Sequence, residues 1–97
     1  MEHLSESDQK KLISLMAANL PVLRVKLGAS QEDVAARLSV TRQTISAFES
    51  GQRDMTWSVF LAFVLLFFRN QETKRLLVAL EIYTPALDSF LTIKPER

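Results

Sequence analysis

This chain of 97 residues contains no cysteine, only two glycines, three prolines and one histidine. Each shortage removes a class of function. Without cysteine there is no disulfide framework, thiolate nucleophile or cysteine-ligated metal. With only Gly28 and Gly51, no glycine-rich phosphate loop can be built. The single histidine, His3, is expected at the surface of the N-terminus, so no Ser/His/Asp triad can be assembled, and Glu32, Asp33 and one histidine do not make a metal set. No enzyme, cofactor or metal is expected. The start, MEHLSESDQKK, has no apolar signal-peptide core. The longest apolar run, WSVFLAFVLLFF, stops at Arg69-Asn70, short of the roughly 20 residues of a membrane span, and reads as a buried central helix. A cytoplasmic protein with no membrane partner is the expectation.

There is also little excess of either charge. The formal net charge is +1, with 24% charged and 47% hydrophobic residues, an ordinary globular balance. The length allows one domain, spanning 1–97. Scarce glycine and proline, with little β-branched alternation, indicate an all-α chain.

The apolar spacing then divides the chain into helices. Ser7-Asp8 offers a helix start, after which Ile13, Met16, Leu20, Leu23 and Leu27 repeat at intervals of three and four. The stripe keeps its phase across Pro21, so one kinked helix or two abutting ones should end at Leu27-Gly28, with Gly28 as a left-handed cap. Ser30 opens the next helix, with Asp33 completing a capping box. Thr41 opens a third that Gly51 closes, and Thr56 caps the apolar helix that follows. Gln71-Glu72 begins a last helix with Leu76, Leu77, Leu80 and Tyr83 on its apolar face, which Pro85 ends or bends. The remaining Leu87, Phe90, Leu91 and Ile93 should pack somewhere.

The segment QEDVAARLSVTRQTISAFESG, residues 31–51, carries the strongest signal. Val34, Ala35 and Leu38 share one helical face, Val40 sits in a tight turn, and Ile45 and Phe48 lie one turn apart on the next helix. Two short helices joined by such a turn cross steeply, and Ala35 is small enough to let their backbones approach. The polar remainder of the second helix, Arg42, Gln43, Thr44 and Ser46, faces outward, as a helix lying in the major groove of double-stranded DNA requires. Arg42 can donate two hydrogen bonds to guanine, and Gln43 fits adenine or a phosphate. Thr44 and Ser46 fit a thymine methyl, a phosphate or plain helix surface. Thr41 is first a cap. Gln31, at a helix N-terminus, is placed for a phosphate. Arg53, in the loop that follows, reaches the DNA backbone or pairs with Asp54. Within residues 21–57 Arg24, Lys26, Arg37, Arg42 and Arg53 face Glu32, Asp33, Glu49 and Asp54. Near-neutral charge implies weak binding by one subunit, since phosphate contacts set affinity.

With its caps and the closing Ser50-Gly51, the region from Leu20 to Phe68 resembles the helix-turn-helix of the phage Cro and lambda repressor (Xre) family. The likeness is strongest across Leu27-Gly28-Ala29-Ser30-Gln31 and Thr41-Arg42-Gln43-Thr44-Ile45-Ser46. It implies a five-helix lambda-repressor-like domain, here with an N-terminal helix extension and an apolar C-terminal helical segment. It further implies that Gln31 touches a phosphate and braces the recognition helix, that Arg42, Gln43 and Thr44 read base edges, and that Arg24 pairs with Glu49. The chain departs from the family at Ser39, where glycine is usual in the turn, and from Thr73 onward no counterpart transfers.

These readings converge on a transcriptional regulator, a repressor, that binds operator DNA at an inverted repeat as a homodimer. The dimer surface is expected in the segment 72–93, on Leu76, Leu80, Tyr83, Leu87, Phe90 and Leu91. The rival is a protein-interaction module, or an antitoxin that caps a toxin partner, using the same apolar segment.

Overall fold

Six helices and no strands make up the described residues, 4–95, of the computed structural model. They are α1 (Glu6–Leu27), α2 (Gln31–Leu38), α3 (Arg42–Ser50), α4 (Trp57–Phe68), α5 (Gln71–Ala79) and α6 (Pro85–Leu91). His3 lies outside the described residues. No single helix in 4–95 is long and apolar enough to cross a membrane.

Local chemistry accounts for most of the boundaries. α1 starts two residues before the expected site because Ser5 is the cap. Its hydroxyl accepts from the Asp8 amide at 3.0 Å, and the Asp8 carboxylate accepts from the Ser5 amide at 3.1 Å. The helix then runs unbroken through Pro21 for 22 residues. Of the two expected forms, the structure takes the single helix. The buried side chains Leu12, Met16, Leu20 and Leu23 hold both halves against one core, which outweighs the hydrogen bond that proline cannot donate. Gly28 adopts φ 67° and donates to the Arg24 and Val25 carbonyls, as a left-handed cap should.

Ser30 and Asp33 form the anticipated capping box on α2, at 3.0 and 2.8 Å. Thr41, Thr56, Asn70 and Thr84 each accept from a backbone amide in the first turn of the helix they open. Ser39 takes the left-handed conformation, φ 59° and ψ 40°, in the turn between α2 and α3. That conformation costs a non-glycine residue on the order of 1 kcal/mol. Ser39→Gly is therefore expected to raise stability by up to about 1 kcal/mol in a denaturant titration, less the extra freedom that glycine gives the unfolded chain.

The core sits where α1 meets α3, α4 and α5, and α2 packs across α3 and α4. Phe60, Phe63 and Phe67 of α4 are fully buried, together with Met16, Leu20, Leu23, Ile45, Leu77, Ile82 and Leu87. The Phe63 and Phe67 rings stack at 6.1 Å, and Phe48 of α3 meets Phe63 edge-on at 6.4 Å. The apolar α4 is thus a central helix. Thr73 is buried too, its hydroxyl donating to the Phe67 carbonyl at 2.5 Å.

The C-terminal segment departs from the sequence reading. α5 ends at Ala79, Glu81 turns the chain at φ 61°, and Pro85 opens a sixth helix instead of ending the fifth. Proline at the first helical position loses nothing, because its missing N–H would have had no intrahelical partner. α6 folds back onto the start of α4, where Phe90 meets Trp57 edge-on at 6.2 Å. Tyr83 packs its ring on Phe68 and donates its hydroxyl to Asp88. Partial burial, with that hydrogen bond, pushes the Tyr83 phenol up from 10.0 to about 12. Because the folded-state value is the raised one, its contribution to stability is complete below pH 10 and is lost as pH climbs toward 12. Tyr83→Phe is expected to flatten that alkaline limb in a series of thermal melts while leaving its general fall with pH.

Candidate nucleic-acid interface

α2 and α3 cross with Ala35, 4% exposed, buried at their junction, and with Ile45 and Phe48 turned into the core. This fixes which side of α3 faces out. Arg42 and Gln43 are exposed, and Thr44 and Ser46 are half-buried along the same helix. Thr41 works as the cap, its hydroxyl accepting from the Thr44 amide at 3.1 Å and lying 3.0 Å from the Thr44 hydroxyl. That contact leaves Thr44 less available to a ligand than Arg42 or Gln43.

A continuous chain of polar contacts ties α1, α2 and α3 together beneath this face. Arg24 of α1 holds Glu49 of α3 through two bonds, Nε to Oε2 at 2.6 Å and Nη2 to Oε1 at 3.1 Å. Its third nitrogen, Nη1, donates to the Ala29 carbonyl at 3.1 Å, just before α2. Both side chains are largely out of water, 16% and 10% exposed. The hydrogen bond to Glu49 raises the Arg24 pKa above its ordinary value, against the opposing effect of burial. The guanidinium therefore stays charged in the position where the two helices need it.

Gln31 extends the chain to the surface. Its amide nitrogen donates to Glu49 Oε1 at 3.0 Å, and its amide oxygen accepts from Arg42 Nη1 at 3.1 Å. Gln31 and Arg42 are the first residues of α2 and α3. The hydrogen bond between them brings the positive ends of two helix dipoles to one part of the surface, with a guanidinium beside them. The first-turn amides that the Ser30 and Thr41 caps do not take, with the cation beside them, make this spot suited to an anion such as a DNA phosphate.

Arg53 stands apart from that network, in the loop after α3. Among the described residues it makes no ion pair with Asp54; its guanidinium lies over the Phe48 ring at 5.9 Å and remains exposed. Arg37, the other cation of the motif, folds back to donate to the Asp33 carbonyl at 2.9 Å. So the structure brings together Arg24, Glu49, Gln31 and Arg42, with Gln43 next to Arg42 on the exposed face and Arg53 on a separate loop. The Ala29 carbonyl had no signal in the sequence, since backbone acceptors carry none. The Gln31–Arg42 bond joins residues eleven apart on different helices, a pairing no helical periodicity reveals.

Of the six side chains expected to form a dimer surface, Leu87 is fully buried within its own chain. Leu76, Leu80, Tyr83 and Phe90 are half-buried and pack on that same core, and Leu91 is exposed. The turn at Glu81 and the helix that Pro85 opens bring the later part of this segment, Leu87 and Phe90, back onto the core.

In a comparison with known families, the family model described as a helix-turn-helix domain matches residues 15–80. Neither the curated proteins nor the solved structures contain a match to this chain. The match runs from within α1 to the end of α5 and includes the whole polar network, and on it the chain belongs to the helix-turn-helix domain family, a family of DNA-binding proteins.

Proposed function

We propose that this chain is a sequence-specific double-stranded DNA-binding protein of the Xre type, a non-enzymatic, cytoplasmic transcriptional repressor acting as a homodimer on an inverted repeat. The observation that carries the reading is the Gln31–Arg42 contact on the open face of the motif. It presents a positioned guanidinium, with Gln43 beside it, at the N-terminal end of an amphipathic α3. A guanidinium held in place can read guanine O6 and N7, while the nearby helix N-termini and Gln31 take the phosphate that sets the register. Arg53 adds a backbone contact from the following loop. With a net charge of +1, one copy neutralises few phosphates, and two copies on one operator double that number.

The competing reading, an interaction module or antitoxin, relied on an apolar C-terminus free to bind a partner. α6 uses most of that apolar surface within its own chain, which favours DNA as the working partner. The test is selection from a pool of random duplexes at two salt concentrations, followed by sequencing. The proposal expects an enriched inverted repeat whose half-sites depend on Arg42 and Gln43. Weak binding without enrichment, unaffected by Arg42→Ala and Gln43→Ala, would overturn it and return the toxin-partner reading to first place.

A further inference from the structure

α1 carries two apolar faces; one builds the core, and the other is left mostly open, with only Leu15 at its start packing against that core. At about 100° per residue, Leu12, Met16, Leu20, Leu23 and Leu27 share a sector about 80° wide, which packs on the core. Leu15, Ala18, Val22 and Val25 occupy a second sector of about the same width, centred about 140° away. Val22 is 53% exposed and Val25 71%, Ala18 is exposed, and Leu15 is half-buried. A shallow depression lined by Pro21, Val22, Val25, Lys26 and Glu72 borders this stripe. Single exposed apolar residues are ordinary, but four in a row at helical spacing form a seam.

We propose that this seam takes a second copy of the same chain, with the two α1 helices antiparallel about a two-fold axis at the level of Leu20. The spacing of the seam, three then four then three, reads the same in both directions, so it is complementary to itself. A two-fold contact requires this self-complementarity of any surface patch. In the antiparallel register Leu15 meets the partner's Val25, and Ala18 meets the partner's Val22. Each layer then pairs a larger with a smaller side chain, and Ala18 lets the helices approach. A parallel register would set Ala18 against Ala18, leaving a gap.

Charge selects the same register. Lys11 continues the seam one turn before Leu15 and is exposed. In a parallel pair it would face its own copy. In the antiparallel pair it lies at the level of the partner's residue 29, just past the α1 C-terminus, where the helix dipole favours a cation. Lys26, the nearest competing cation, is matched by Glu72 of its own chain at 3.6 Å. The seam spans about 15 Å of helix and buries less than the roughly 1,000 Å² of a stable interface, so the contact is a weak one. The expected dissociation constant is on the order of 100 µM.

This inference deepens only the homodimer part of the proposed function, and it is tested without DNA, so its failure leaves sequence reading untouched. Sedimentation equilibrium of the full chain should show a monomer–dimer equilibrium. Val22→Glu combined with Val25→Gln should weaken it by at least about tenfold, while the far-ultraviolet circular dichroism spectrum stays helical, since both sites face solvent in the monomer. For register, Ala18→Cys carrying a mass tag is mixed with untagged Val22→Cys and oxidised, in a chain that has no other cysteine. A mixed disulfide between the two is expected. Three results would overturn the proposal: a wild-type monomer at about 500 µM, an undiminished dimer in the double variant, or cross-linking of Ala18→Cys only to itself. The first would assign the face to a different occupant, the second would move the dimer elsewhere, and the third would reverse the register.

Discussion

Arg42→Ala is expected to weaken binding to the selected duplex by about 5- to 150-fold, the equivalent of the roughly 1–3 kcal/mol a bidentate arginine–guanine pair supplies. Binding to random duplex should fall much less, because the variant removes one charge among several. The two losses together separate a base reader from a phosphate contact. A phosphate contact would weaken both duplexes alike and reduce the slope of affinity against salt by about one ion. Arg42→Lys sharpens the distinction, because lysine keeps the charge but cannot present two parallel donors to O6 and N7. It should behave like alanine at the guanine position and like arginine on random DNA. Competition binding of the three proteins against both duplexes reads all of this in one assay, and equal losses on both would sink the base-reading role.

The Gln31 contact makes a further demand on the same experiment. In the free protein the Arg42 guanidinium is already held at 3.1 Å by the Gln31 oxygen, whose amide is held in turn by Glu49. Fixing a long side chain before binding lowers the entropy lost on binding. Gln31→Ala should therefore reduce specific binding less than Arg42→Ala does. The double variant should lose less than the sum of the two, since residues sharing one network are coupled.

The secondary structure was legible at most boundaries that depend on nearby residues. The start of α1 is the exception, because Ser5 and Ser7 are both credible caps and only Ser5 completes a capping box with Asp8. Ser30 with Asp33, Thr41, Thr56 and the glycines at 28 and 51 mark helix ends by chemistry that acts over three or four positions. The Arg24–Glu49 pair became legible only through the likeness to a known family, since 25 residues separate the partners. The C-terminus read poorly because Pro85 is consistent with ending one helix or opening another, and only the packing of Phe90 on Trp57 decides between them. The outward stripe on α1 is hidden in the sequence for a different reason. Its core face has the same three-and-four spacing, so periodicity alone does not separate the two stripes.

Breaking the Arg24–Glu49 pair from one side should be among the most destabilising changes outside the apolar core. With Arg24→Ala the Glu49 carboxylate, 10% exposed, keeps only the Gln31 amide as a hydrogen-bond partner. With Glu49→Ala the guanidinium keeps only the Ala29 carbonyl. Losing one partner of a fully buried pair costs 3–5 kcal/mol, and residual exposure lowers that here to about 2–4. For a chain of this size the melting temperature should fall by roughly 10–20 °C. The double variant Arg24→Met/Glu49→Leu leaves no uncompensated charge, and apolar replacements of similar volume are often neutral, so stability should largely return. DNA recognition should not return with it, because Gln31 would have lost the Glu49 oxygen that orients it toward Arg42. Thermal melts and binding curves on the same three proteins test both halves of this argument. A double variant that recovers stability and specific binding together would show that the pair serves the fold alone. Recovery of stability without binding would place Arg24 and Glu49 among the residues that position Arg42.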